Sequence, residues 1–77
     1  MSQPQRLQEI FRSVFNLSDS VDPTSIHQLG FPAWDSLAHV TLMAAIESEF
    51  GVAIDLADSI ELTSYDAILA HLEDVMP

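Results

Sequence analysis

Leu7, Ile10, Phe11, Val14 and Phe15 recur at i, i+3, i+4, i+7 and i+8. That spacing places five large apolar groups on one stripe of a helix, so the chain opens with an amphipathic helix that needs a partner for its stripe. The period dissolves from Asn16 to Asp22, and the Asp22-Pro23 step disfavours further helix. It returns from Asp35 to Phe50, where His39, Leu42, Met43, Ile46 and Phe50 form a second stripe and Gly51 fits the C-terminal stop. Asp55 to Leu62 reads as a short third helix, with Asp55 as its cap and Leu56 and Ile60 turned inward. Thr63 or Ser64 opens a last helix, with Asp66 near the positive end of its dipole and Tyr65, Ile68, Leu69, Leu72 and Val75 along its inner face.

The segment between the first two helices is long, and connections of this length in a compact domain are functional or packed down. Ile26, Leu29, Phe31 and Trp34 favour packing of this one against the core. The expected fold is all-α: a small four-helix bundle with a long first loop and a short third helix. A chain of 77 residues has room for one core, so residues 1–77 form one domain that buries about 60% of its unfolded surface.

Charge narrows the partners. Two Lys+Arg against twelve Asp+Glu give a formal net charge of −10, which repels nucleic-acid phosphates and anionic lipid and favours basic partners. The 48% hydrophobic content, periodically arranged, argues for a packed domain over a disordered acidic chain. The absence of cysteine removes disulfides, thiolate nucleophiles and cysteine-based zinc sites, so any thiol chemistry has to come from a cofactor. No stretch approaches the ~18 apolar residues of a membrane span and the N-terminus lacks a secretion signal, so a cytoplasmic location is expected; the expected assembly is a monomer.

Ser36 stands where the second helix starts, between Asp35 and Leu37. A serine in a first helical turn lies near unpaired backbone N–H groups, and a phosphate ester there is favoured by roughly 0.3–1 kcal/mol. For an arbitrary Asp-Ser pair a plain helix cap is sufficient, since either residue is a good N-cap. The surrounding run says more. Leu29-Gly30-Phe31-Pro32-Ala33-Trp34-Asp35-Ser36-Leu37, continuing through His39, Val40 and Leu42 to Glu47, Glu49 and Phe50, resembles the acyl carrier protein family over essentially the whole chain. The resemblance implies that Ser36 of the Asp-Ser-Leu motif carries 4′-phosphopantetheine, taken from coenzyme A by a phosphopantetheinyl transferase. Asp35 is then the acidic neighbour that presents the serine. The resemblance also implies that the chain is not an enzyme but a carrier that holds acyl groups as thioesters on the arm. Coenzyme A, Mg²⁺ and the base that activates the serine come with the transferase, since no basic group of the chain is clearly placed to do so.

Leu37, Val40 and Ala44 fall at i, i+3 and i+7, offset from the core stripe. With Asp35, Glu47 and Glu49 they match the family's docking face, a small apolar contact in an acidic field read by acyl-loading and acyl-processing enzymes with basic surfaces. Leu42, Met43, Ile46, Ile54, Ile60 and Ile68 supply a flexible aliphatic lining for an acyl chain between the helices. Ala38, Thr41 and Ser48 stand where carriers of fatty-acid synthesis usually place acids, which argues against that service. Trp34-Asp35 after Pro32 departs from the Leu-Gly-Gly-His/Asp-Ser pattern of peptidyl carriers. The chain looks more like stand-alone carriers of specialised lipid, polyketide or aminoacyl pathways, and its start at Met1 and end at Pro77 are those expected of a free-standing chain.

His39 lies i+3 from Ser36, yet no nucleophile-elbow spacing or orienting acid accompanies it, so it reads as core packing and a Ser-His hydrolase is disfavoured. No two of His27, His39 and His71 have the i, i+4 spacing of a zinc helix, so no metal site is expected. The competing reading from another class is an acidic helical interaction module without a prosthetic group.

Overall fold

The computed structural model describes residues 2–75. Four helices follow in order: α1 (Gln3–Phe15), α2 (Ser36–Phe50), α3 (Leu56–Glu61) and α4 (Tyr65–Val75), with one 3₁₀ turn at Pro23–Ser25 inside the long first loop. The expected small all-α bundle is the fold observed.

α1 begins ahead of its apolar stripe because Ser2 and Gln5 form a capping box. The Ser2 hydroxyl accepts from the Gln5 N–H at 3.3 Å, and the Gln5 side-chain oxygen accepts from the Ser2 N–H at 3.4 Å. It ends at Asn16, whose φ of 52° lets its N–H donate back to the Arg12 carbonyl. Leu7 and Phe11 are fully buried, while Ile10, Val14 and Phe15 pack partly buried against the same core. Phe11 is the hub: its ring meets Phe15, Trp34 and Tyr65 edge-on at centroid distances of 5.7, 5.6 and 5.5 Å.

The first loop is fixed along its length. Asp22 caps the 3₁₀ turn by accepting from the Thr24 N–H and hydroxyl at 3.0 and 2.7 Å, and these bonds hold its carboxyl below the usual carboxylate range. Around an antiparallel bridge between His27 and Ser64, the Gln28 N–H donates to the Thr63 carbonyl (2.8 Å) and the Tyr65 N–H to the Ile26 carbonyl (3.1 Å). The loop thereby joins the α3–α4 junction. Ile26 and Trp34 are buried and Phe31 packs against the core, as the sequence suggests. Leu29 does not: it is 94% exposed, beside Gly30 at φ 88° where the chain turns away from the bundle.

α2 buries Leu42, Met43, Ile46 and Phe50 and stops at Gly51, whose φ of 66° supports the N–H bond back to Glu47. α4 buries Tyr65, Ile68 and Leu72, and its first turn is capped by the Ser64 hydroxyl, which accepts from the Ala67 N–H at 3.1 Å. Val75, expected on the inner face, is exposed at the end of the helix. Burial pushes the Tyr65 phenol up, and its hydroxyl donates to the Pro4 carbonyl at 2.9 Å, tying α4 to the start of α1.

α3 departs most from expectation. Asp55 caps it as foreseen, accepting from the Asp58 N–H at 2.8 Å, but none of its six residues is buried. Leu56 and Ile60 point outward, and the inward position belongs to half-buried Ser59. The reason lies in what faces it: across from α3 stands the imidazole of His39, a polar partner that accommodates Ser59 and not an aliphatic side chain.

Candidate functional site

Ser36 is the first residue of α2, and its position follows from its two neighbours. Trp34 is 2% exposed and wedged against Phe11 and Phe15, which pins the end of the loop to the core. Asp35 is the cap, its carboxylate accepting from the Ala38 N–H at 2.8 Å. Asp35 thus takes the capping role, and Ser36 is left exposed with its hydroxyl in no hydrogen bond among the described residues. A buried anchor, a cap and an exposed hydroxyl in the first turn of a fifteen-residue helix leave that hydroxyl accessible on a fixed backbone. A phosphate ester on that oxygen would meet the positive end of the helix dipole, so the site fits a phosphate-linked group.

His39 does not serve Ser36. Its Nδ1 accepts from the Trp34 indole N–H at 2.9 Å and its Nε2 lies 2.9 Å from the Ser59 carbonyl oxygen, so both ring nitrogens are engaged away from the serine. The half-buried ring also stacks on Trp34. His39 therefore packs on the inner side of α2, but as a polar bridge. A single signal in the sequence bears on it: a buried Trp ordinarily needs a partner for its N–H, and His39 is the polar side chain nearest along the chain on the inner stripe.

Leu37 and Val40, 76% and 66% exposed, share an outer face of α2 with exposed Ala44. The acids expected around them are arranged otherwise. The Glu47 carboxylate is half-buried and accepts from the Ile54 N–H at 2.8 Å, bracing the turn between α2 and α3. Glu49 faces α1, where Arg6 grips it through Nε at 3.0 Å and Nη2 at 2.7 Å while the guanidinium lies 4.6 Å from the Phe50 ring centroid. Leu37, Val40, Thr41, Ala44 and Ser48 leave the outer face of α2 neutral, with Asp35 as the acid at its upper end.

Of the six aliphatic residues expected to line an acyl pocket, Leu42, Met43, Ile46 and Ile68 are buried in one core and Ile54 packs partly buried against it. Ile60 is 67% exposed and does not share that interior, because α3 turns Ser59 inward instead. Among the described residues, no group of three His, Asp or Glu side chains could hold a metal ion, and no helix is long and apolar enough to cross a membrane.

Compared with known proteins, residues 5–72 match the family model described as phosphopantetheine attachment site. No curated protein and no solved structure gives a significant match.

Proposed function

The chain belongs to the phosphopantetheine attachment-site family, and we propose that Ser36 is its attachment serine, presenting acyl intermediates to the enzymes of a lipid, polyketide or related biosynthesis. Members of this family are carriers and not catalysts, and they bear 4′-phosphopantetheine covalently on a serine. The observation that carries the assignment is the exposed, unengaged Ser36 hydroxyl at the start of α2, within Asp-Ser-Leu and directly after the buried Trp34. The arm supplies a terminal thiol that holds acyl groups as thioesters. The protein supplies a fixed base for that arm and, lacking cysteine, no competing thiol.

Carriers of this family meet a phosphopantetheinyl transferase and biosynthetic enzymes. In our reading these partners dock on Leu37, Val40 and Ala44, with Asp35 as the nearest acid. The neutral outer face of α2 supports recognition by shape and apolar contact, and the overall charge of −10 supports steering of basic partners from a distance. Glu47 and Glu49 contribute less than their charge suggests, since one braces a turn and the other is paired with Arg6. An acyl chain that leaves solvent would enter among Leu42, Met43, Ile46, Ile54 and Ile68. The carrier is read as one domain, monomeric and cytoplasmic.

The test is intact mass after incubation with coenzyme A and a broad-specificity transferase. A gain of one phosphopantetheine arm supports the reading. A protein that stays at its apo mass while folded leaves an acidic helical interaction module in its place.

A further inference from the structure

The two hydrogen bonds of His39 define its protonation. An indole N–H can only donate, so the 2.9 Å contact from Trp34 Nε1 requires a lone pair on His39 Nδ1 and places the ring proton on Nε2. Nε2–H then donates to the Ser59 carbonyl at 2.9 Å, with the Ser59 hydroxyl at 3.3 Å. Only the neutral Nε2–H tautomer satisfies both ends of this bridge from the first loop through α2 to α3.

α3 depends on that bridge. None of its residues is buried, and among the described residues the hydrogen bonds that reach it from another helix come from His39 alone. Its ends are held by neighbours in sequence: Ile54 is braced by Glu47 and Leu62 is buried. The middle of the helix rests on one imidazole.

We infer that His39 is a positioning residue, a proton-sensitive latch that holds α3 against α2 one turn beyond Ser36 and releases it when Nδ1 is protonated. Protonation turns the Nδ1 acceptor into a second donor facing the indole N–H, so the Trp34 bond is lost and the ring leaves the indole it stacks on; Nε2–H is still a donor, but it moves with the ring away from the Ser59 carbonyl. The charged groups on α2 and α3 are Asp35 at the cap of α2, Glu47 and the Arg6-paired Glu49 within it, Asp55 at the cap of α3, and Asp58 and Glu61 within it. α1 meets the network through Phe11 and Phe15, its arginines being held at Glu49 and at the Ser18 carbonyl. Imidazole is the side chain whose ordinary charge change falls between about pH 5 and 8. The latch itself stands on the geometry of the unmodified chain. Its consequence, an opening of the α2–α3 side of the interior beside the arm, rests on the carrier reading above.

The experiment is a proton NMR titration of the unmodified full chain, following the single indole N–H and the ring protons of the three histidines, with amide protection of residues 56–61 measured at each end. The expected result is an indole N–H that shifts with the midpoint of His39, not of His27 or His71, and a loss of α3 protection over the same step. His39→Gln keeps an acceptor and a donor without a titrating ring and should abolish the step. His39→Leu should leave α3 unprotected throughout. An indole resonance that does not follow His39, a step that survives in His39→Gln, or full α3 protection in His39→Leu overturns the latch. Should either variant fail to fold, the wild-type resonances decide alone. Arm uptake at Ser36 is measured separately, so the latch and the carrier reading can fail independently.

Discussion

α1 and α3 are both capped helices with apolar residues at helical spacing, yet one is the centre of the fold and the other lies on its rim. α1 sends Leu7 and Phe11 to full burial and anchors an aromatic cluster that reaches Trp34 and Tyr65. α3 sends Leu56 and Ile60 into solvent and rests on a histidine. The difference teaches that an apolar stripe becomes core only when the opposite surface is apolar too. Ser36 sits between the two regimes: Trp34, two residues before it, belongs to the fixed half, and His39, three residues after it, reaches the loosely held one.

The largest expected effect lies in the fixed half. Phe11→Ala removes the ring shared by three aromatic neighbours and should cost about 3–5 kcal/mol, a large part of the stability of so small a domain, read as a drop in urea midpoint. Asp35→Ala removes the cap of α2 and should cost about 1 kcal/mol, with slower modification of Ser36 because the first turn frays. Thermal melts and transferase rates measure the two effects.

Tyr65→Phe should cost a similar ~1 kcal/mol through the lost bond to Pro4. It also has a pH signature. The folded form keeps the phenol proton above the ordinary value of 10.0, chiefly through burial, so the contribution of this group is complete below that value and is lost as pH rises through the raised one. Wild type should weaken at alkaline pH more than Tyr65→Phe does. At the small end, Ile60→Ser on α3 should change stability by no more than about 0.5 kcal/mol. A cost there as large as that of Phe11→Ala would erase the contrast between the two helices.

What the sequence made legible were features that depend on neighbours along the chain. The stripe of α1, the cap at Asp55, the stop at Gly51 and the place of the Asp-Ser-Leu serine at the start of α2 are all set within a turn or two. What it hid depends on what lies opposite. Leu56 and Ile60 look inward by spacing, but spacing does not say that His39 stands opposite α3 and takes Ser59 instead, and Leu29 looks like its buried neighbours until Gly30 turns the loop outward. Glu49 reads as a docking charge because Arg6, 43 residues away in sequence, meets it only in the fold. His39 itself shows the limit most clearly: a place on the inner stripe was readable, and its role as a bridge between loop and α3 was not.

The central claim is that Ser36 is the attachment serine. Ser36→Ala, incubated with coenzyme A and the transferase beside wild type, tests it by intact mass. The variant should keep native helix content and stay at apo mass while wild type gains one arm. A variant that still takes up the arm would contradict it.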